Sequence, residues 1–211
     1  MRVLLISDVH GNLPALETVL GREKGHDLIV SLGDVVNYGP WSNECVEALN
    51  HSGVINLMGN HEEYFINGRY GGTSTLVQQF FETCYSDFRH GEIIKAYKDN
   101  YSLGEFICRH TVGDRYVFID TPVEINENMI IGHSHQQFRR MIGTFELVNT
   151  GSVGQNRREI NVINYATYDV TSGLIELREL IYDVGMVIRE MKSKNYPEDC
   201  INYYLQKSVR K

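Results

Sequence analysis

The sequence predicts an α/β protein with parallel strands, and three observations lead there. Short apolar runs that read as buried strands alternate with segments whose apolar residues recur at helical spacing. The first three runs end in Ser7-Asp8, Gly33-Asp34 and Gly59-Asn60. Asp8 and Asp34 are 26 residues apart, as are Asp34 and Asn60, and one strand-helix-strand unit takes about 30 residues. Such units set the ends of parallel strands side by side, and open α/β sheets bind ligands at those carboxyl ends.

Val3–Ile6 is a continuous apolar run, as in a strand covered on both faces. Leu13, Leu16, Val19 and Leu20 have helical spacing, and Leu28–Leu32 is a second strand. Cys45, Val46 and Leu49 predict a helix with Ser42 or Asn43 as its N-cap. Val54–Met58 is a third strand. Residues 61–100 read as mostly helical, with a stripe of Leu76, Phe80, Phe81 and Cys84 after a Gly71-Gly72 loop. Phe106–Cys108 and Met129–Ile131 are short strands. Phe145–Val148, Val162–Val170 and Leu174–Ile181 read as antiparallel strands, with Ser172-Gly173 as a hairpin turn. Val184, Val187, Ile188 and Met191 fall on one helical face. Pro197 stops that helix, and Glu198–Leu205 is a further short one.

A chain of 211 residues with 42% apolar residues can bury a sizeable core, and its length suits one large domain. A net charge of −7 argues against broad binding to a nucleic-acid backbone. An anionic substrate then needs local attraction, which bound metal ions supply. The opening Met1–Ile6 run is too short for a signal peptide or membrane span, and no other segment approaches that length. The expected compartment is the cytoplasm. Cys45, Cys84, Cys108 and Cys200 form no C-x-x-C pair, so they read as buried free thiols in a reducing compartment.

Five clusters of metal-seeking residues fall at predicted strand ends: Asp8-x-His10-Gly11, Gly33-Asp34, Gly59-Asn60-His61-Glu62, His110, and Gly132-His133-Ser134-His135. Their oxygen and nitrogen donors suit two divalent ions. In extended backbone, residues two apart point the same way, so Asp8 and His10 can reach one ion. Gly11 lets the chain turn close by. Each cluster alone has a plainer reading: Asp8 or Asn60 as a helix cap, Gly33-Asp34 as a turn, the histidines as surface groups. His110 has no special flank, and His90 could replace it. His26 and His51 read as solvated. All the plain readings would have to hold together, and this favours a metal centre.

The order of these motifs resembles the calcineurin-like metallophosphoesterase superfamily. Gly33-Asp34-Val35-Val36-Asn37-Tyr38-Gly39-Pro40 and Asn149-Thr150-Gly151-Ser152-Val153-Gly154-Gln155 are similar to its small bacterial and archaeal branch of phosphodiesterases and diadenosine-tetraphosphatase-like proteins. The resemblance runs from Met1 to about Ile181, and Tyr182-Asp183 and Tyr196-Pro197 extend it into the tail. It implies a four-layer α/β-β/α sandwich of two mixed sheets, with metals at one edge. The chain then reads as one metallophosphoesterase domain over 1–211, a catalytic sandwich over 1–182 and a helical tail over 183–211.

By the same resemblance, Asp8, His10, Asp34 and His135 hold one ion, and Asp34, Asn60, His110 and His133 hold the other. His61 is the catalytic histidine, and Asp8 steers it through its second oxygen. Asn12, Tyr38, Asn60 and His61 shape the substrate mouth. The ions are expected to be manganese, with iron, zinc, nickel or magnesium as alternatives. Asn37 stands where relatives commonly carry glycine, a change expected to affect only a loop. Tyr38-Gly39 occupies the place of an arginine in calcineurin-type protein phosphatases, which argues against a phosphoserine phosphatase.

The expected reaction is in-line attack on a small phosphate ester by a hydroxide bridging the two ions. Phosphodiesters or nucleotide-type compounds are the expected substrates. A scaffold that keeps the fold without hydrolysis is the alternative from another class, and a protein phosphatase is a second. Arg139-Arg140 and Arg157-Arg158 could serve a nuclease, but such pairs are more often solvated charges. They could also grip a substrate phosphate. No membrane partner is expected, and an exposed apolar stripe on the tail would fit a homodimer.

Overall fold

The computed structural model describes residues 1–210. Its first strand, β1 (Arg2–Ile6), is buried after Arg2 because both of its faces are covered. Leu4 and Ile6 join a core shared with the helices, and Val3 and Leu5 join a core between two sheets. The strand period of two produces this division. β1 pairs in parallel with β2 (Leu28–Ser31), and β2 with β3 (Val54–Asn56). On its other side β1 pairs antiparallel with β9 (Val162–Asp169), which pairs with β10 (Leu174–Ile181). The result is a mixed sheet in the order β10-β9-β1-β2-β3.

A second mixed sheet holds β4 (Tyr101–Leu103), β5 (Phe106–Cys108), β6 (Asn128–Ile131), β7 (Phe138–Ile142) and β8 (Phe145–Asn149), in the order β4-β5-β6-β8-β7. β5, β6 and β8 run parallel, and both edges are antiparallel. Between the sheets, Val3, Leu5, Val30 and Leu32 meet Phe106, Cys108, Ile130 and Val148. Each large aliphatic side chain removed from water there contributes about 1.5–3 kcal/mol. The expected α/β architecture of two mixed sheets is present, but the described helices all pack on the first sheet, so the outer layer over the second is irregular rather than helical.

Seven helices bury residues on the outer face of the first sheet: α1 (Leu13–Arg22), α2 (Ser42–Ala48), α3 (Asn60–Asn67), α4 (Thr75–Tyr85), α5 (Gly91–Ile94), α6 (Val184–Ser193) and α7 (Glu198–Leu205). On the outer face of the second sheet, Met129, Ile131, Phe138 and Leu147 are covered by Val117, Val112, Val123 and Ile125 from an irregular segment. None of the described helices is long and apolar enough to cross a membrane. The four cysteines are buried and free. Burial pushes the thiols of Cys84, Cys108 and Cys200 up to about 12, which leaves them unreactive.

Several sequence expectations need local correction. Neither Ser42 nor Asn43 caps α2; Trp41 precedes it, with no side-chain cap. Ser42 Oγ instead accepts from the Asn37 N–H at 3.0 Å, and Asn43 ties to Asp87 and Arg89. The third strand stops at Asn56 because Leu57 bridges to Lys98 and the Met58 N–H donates to the Lys98 carbonyl. The 61–100 stretch is helical only in α3, α4 and α5.

The tail reaches back toward the ends of the parallel strands. Tyr204 on α7 is buried, and its hydroxyl accepts from Gln155 Nε2 at 2.6 Å. Glu62 on α3 fastens two neighbouring loops. Its buried Oε2 accepts from the Asp34 and Gly59 N–H groups at 2.7 and 2.9 Å. Its Oε1 accepts from Val35 and Val36 at 2.7 and 3.2 Å. Burial and the Asp34 carboxylate push this acid up to about 7, while backbone donors act in the opposite sense. Glu62→Gln keeps the volume but aims an amide N–H at backbone N–H groups. The variant is expected to lose about 3 kcal/mol in urea unfolding of the metal-free chain, since buried donors left without acceptors carry costs of that size. An unchanged midpoint and slope would show that the clamp is dispensable.

Candidate metal centre

The five expected clusters meet at the C-terminal ends of β1, β2, β3, β5 and β6, where the two sheets face each other. The loops there are not extended, which corrects the simple picture of residues two apart. Asp8, His10, Asp34, Asn37, Tyr38, His133 and His135 all have φ between 50° and 75°. These are seven of the nine non-glycine residues with positive φ in the described chain. Left-handed backbone costs an L-residue roughly 1–2 kcal/mol, and such strain clusters at functional sites. Two glycines permit close approach. Gly33 has φ 102°, and a Cβ there would stand 2.8 Å from His110 Nδ1. A Cβ at Gly132 would overlap Ser7 Oγ.

Three imidazoles have their tautomer fixed by the backbone. His10 Nδ1 faces the Val36 carbonyl at 3.2 Å, His110 Nδ1 the Leu32 carbonyl at 2.8 Å, and His135 Nδ1 the Gln155 carbonyl at 2.7 Å. A carbonyl only accepts, so each Nδ1 carries a proton and each Nε2 is the atom left to ligate a cation, once it is itself free of a proton. His10 Nε2 and His135 Nε2 lie 3.2 Å apart. His135 Nε2 is 3.3 Å from Asp8 Oδ1, and His110 Nε2 is 3.3 Å from Asp34 Oδ2. His110 Nε2 also lies 3.0 Å from His133 Nδ1 and 3.2 Å from Asn60 Oδ1.

Facing lone pairs and buried carboxylate oxygens repel unless a cation lies among them. Asp8 Oδ1 is itself buried with no hydrogen-bond partner among the described residues. The donor set therefore fits divalent metal. Three groups could hold an ion: Asp8, His10 and His135; His10, Asp34 and His61; and Asp34, His110 and His133. Asp34 belongs to two of them, the placement of a bridging carboxylate.

The protonation pattern follows from burial and charge. Burial holds His10 well below its ordinary range. Burial, then the charge on His110, lowers His133 to about 4. Burial also lowers His61. His110 goes the other way: burial alone would lower it, but Asp34 outweighs that and lifts it to about 10. Burial alone would raise Asp8 and Asp34, but neighbouring histidines hold both well below the usual carboxylate range.

His61 opens α3 beside Asn60, and its N–H donates to Asp34 Oδ1 at 2.9 Å. Among the described residues no hydrogen bond joins Asp8 to His61. Asp8 Oδ2 accepts from the His133 N–H at 3.0 Å, and Asn37 Nδ2 lies 2.8 Å from His61 Nδ1 instead. Asn37 is therefore more than a loop change, since its fully buried amide touches the expected catalytic imidazole. Tyr38 sits edge-on to His10 at 4.8 Å between ring centroids and is 5.3 Å from His61.

Asn12 is fully buried rather than at the mouth. Its Oδ1 caps α1 at Ala15, and its Nδ2 donates to the Gly154 carbonyl and the Tyr182 hydroxyl. No polar atom of that side chain is free for substrate. His90 pairs with Glu47, away from the cluster. His26 is half-buried, and its Nδ1 lies 2.5 Å from the Glu23 carbonyl. The arginine pairs diverge: Arg139 pairs with Glu146 and Arg140 donates to the Ile119 and Thr121 carbonyls, while Arg157 and Arg158 line a cavity with His135.

The fold and this cluster define a metal-ligating α/β sandwich, and comparison with known proteins gives the class a family. The profile of the calcineurin-like phosphoesterase family matches residues 1–159, and the chain belongs to that family, whose members are metal-dependent hydrolases of phosphoesters. The chain is 28% identical to the uncharacterized protein MJ0912 of Methanocaldococcus jannaschii, over 93% of this chain and 94% of that one. It is similar in fold to a metallophosphoesterase from Sphaerobacter thermophilus, with a TM-score of 0.77, 23% identity, and coverage of 97% and 98% of the two chains. A third likeness is to the phosphodiesterase YfcE of Escherichia coli K12, 48% identical over 42 residues, which is 19% of this chain and 23% of that one.

The raised His110 has a measurable consequence. Below the ordinary value of 6.5 its pairing with Asp34 stabilises the metal-free chain fully, and this stabilisation fades as pH rises through about 10. At pH 7.5 the ring is protonated, and a ligand must give up that proton. Loading with manganese or zinc at pH 7.5 is expected to release about one proton per chain from His110, measured by calorimetry in buffers of different ionisation enthalpy. His110→Asn should abolish that component. Equal release from both chains would show that His110 stays outside the coordination.

Proposed function

We propose that the chain is a phosphoesterase that uses two divalent cations, manganese in the first instance, to hydrolyse small phosphate esters. Phosphodiesters and nucleotide-type compounds are the substrates favoured. One observation carries the reading: buried Nε2 atoms and two aspartates converge at the strand ends of both sheets, and among the described residues no Lys or Arg pairs with those aspartates. Asp8, His10, Asp34 and His135 would hold one ion, and Asp34, Asn60, His110 and His133 the other. Cations bound there supply Lewis-acid polarisation of the phosphoryl oxygens and an acidified attacking water.

The chain's own residues do the rest. Asp34 stands between the two ligand groups and keeps their donors in register. His61 lies beside Asp34 and His10, held at Nδ1 by Asn37. That leaves its Nε2 to stabilise the phosphoryl group or protonate the leaving oxygen in an in-line displacement. Asn60 and Tyr38 border the substrate, and the apolar ring of Tyr38 limits water beside His10. The name of one relative, a phosphodiesterase, agrees with diester substrates. We take residues 1–211 as one catalytic domain, with the tail bracing Gln155 behind His135. Four buried free thiols accord with a cytoplasmic enzyme.

The test is turnover of bis-p-nitrophenyl phosphate with manganese. Wild type should be active, and chelation should remove the activity. His61→Ala should lose about 100-fold or more in kcat while elemental analysis finds the same metal content. Equal turnover of the two chains would remove His61 from the chemistry. Absence of metal and of turnover in wild type would leave a non-catalytic scaffold.

A further inference from the structure

Around the mouth lies a second set of groups that the hydrolysis does not use. Tyr116 is 49% exposed, and its ring stacks on His133 with centroids 4.2 Å apart and planes within 13°. The Arg157 guanidinium sits over the same tyrosine ring, 4.9 Å from its centroid. His133 and Arg157 thus share Tyr116 as a neighbour. Lys207, just past α7, is 4.8 Å from the centroid of Tyr203 and donates to the Arg157 carbonyl at 3.5 Å. Tyr203 lies 6.4 Å from Tyr38, which abuts His10. A cationic and aromatic arc therefore runs from His133 to His10, from one ligand group to the other.

Among the described residues neither Arg157 nor Lys207 forms an ion pair, whereas Arg139, Arg178, Arg189 and Arg210 all do. Arg157 also lines a cavity of about 230 Å³ beside His135, so it is reachable from the site. Burial, then the charge of Arg157, lowers the Lys207 ammonium, as expected for two cations held close together. The two carboxylates that line the same cavity, Glu159 and Glu179, are taken up by Arg210, so Arg157 and Lys207 are left as neighbouring cations that form a place for an anion. The reacting phosphoryl group is served by the buried cluster, so the anion is a different one. The Tyr116 ring restrains the guanidinium, whose planar fork suits a tetrahedral oxyanion.

We propose that Arg157 and Lys207, with Tyr116 as the residue that positions Arg157, form a subsite for a second phosphoryl group, and that the preferred substrates are phosphate esters carrying one. This rests on the reading of the buried cluster as a phosphoesterase centre. The subsite adds no chemical step; it takes hold of the non-reacting phosphate and lowers KM.

The test compares thymidine 5′-(p-nitrophenyl phosphate) with the same compound phosphorylated at its 3′ oxygen, so that scissile bond and leaving group are identical. With manganese, wild type should favour the bisphosphate by about tenfold in kcat/KM, through KM, as charge-assisted bonds of this kind provide. Arg157→Ala and Lys207→Met should each reduce that ratio below about threefold. Tyr116→Leu should reduce it partway. Calorimetry gives an independent readout: thymidine 3′,5′-bisphosphate should bind the metal-free wild type more tightly than thymidine 5′-monophosphate, and Arg157→Ala should remove the difference. Release of p-nitrophenolate from both esters without preference would overturn the subsite and leave the phosphoesterase standing. Release from neither would overturn the phosphoesterase, and the calorimetry would still decide the subsite.

Discussion

The site depends on one buried carboxylate that belongs to no ligand group. Glu62 gathers four backbone N–H groups from the loops after β2 and β3 onto two oxygens. No sheet ladder reaches those loops, so without Glu62 their donors would be buried and unpaired. By fixing the backbone of Asp34 and Gly59, it fixes where the Asp34 carboxylate and the start of α3 must lie. His61 and Asn60 are then placed by the helix itself. The same device recurs across the sheets. Asn149 donates to the Gly132 carbonyl and Ser134 Oγ, and its Oδ1 accepts from the Gly151 N–H. Ser152 Oγ donates to the Asp8 carbonyl and accepts from the Gln155 N–H. Side chains bonded to backbone give these loops the rigidity that strands would otherwise provide.

That rigidity opposes two costs. Seven residues around the site occupy left-handed backbone, each at roughly 1–2 kcal/mol. Imidazole lone pairs and carboxylates are also pressed together out of water. In the metal-free chain a proton on His110 relieves part of the second cost, since Asp34 holds that ring protonated. A divalent cation relieves more of it, because it attracts every donor at once. Whatever binds only the folded chain stabilises it by mass action. Ligand geometry and folding stability are thus coupled through the same backbone bonds.

Much of the architecture could be read from the sequence, because it follows from period and spacing. The all-apolar β1, the two 26-residue intervals and the amphipathic tail each have one simple physical cause. The ligand types were legible too, since metal chemistry restricts them to few residues and β-strand ends restrict their places. What stayed hidden depends on tertiary partners. Asn12 and Asn37 are the same residue type in similar loops, yet one caps a helix and the other touches His61. Arg139-Arg140 and Arg157-Arg158 look alike in sequence, and only their surroundings separate a structural pair from a free one. Positive φ at Asp8, His10, His133 and His135 has no signature either, because these are not the glycines that advertise it.

The distribution of charge links the fold to its chemistry. The chain is acidic overall, and the centre of the site holds two carboxylates that burial alone would neutralise. The positive charge of His110 helps to keep them ionised instead, while burial holds His10 and His133 below their ordinary range. The interior is therefore a sink for cations and hostile to anions until cations arrive. Arg157 and Lys207 stand outside it, on the aromatic rim, where a free positive charge does not compete for the aspartates. Had those cations been placed among the ligands, they would have paired with Asp8 and Asp34 and excluded metal. Placing them against Tyr116 and Tyr203 rather than among the ligands lets a single small cleft hold a cation-hungry floor and an anion-hungry edge.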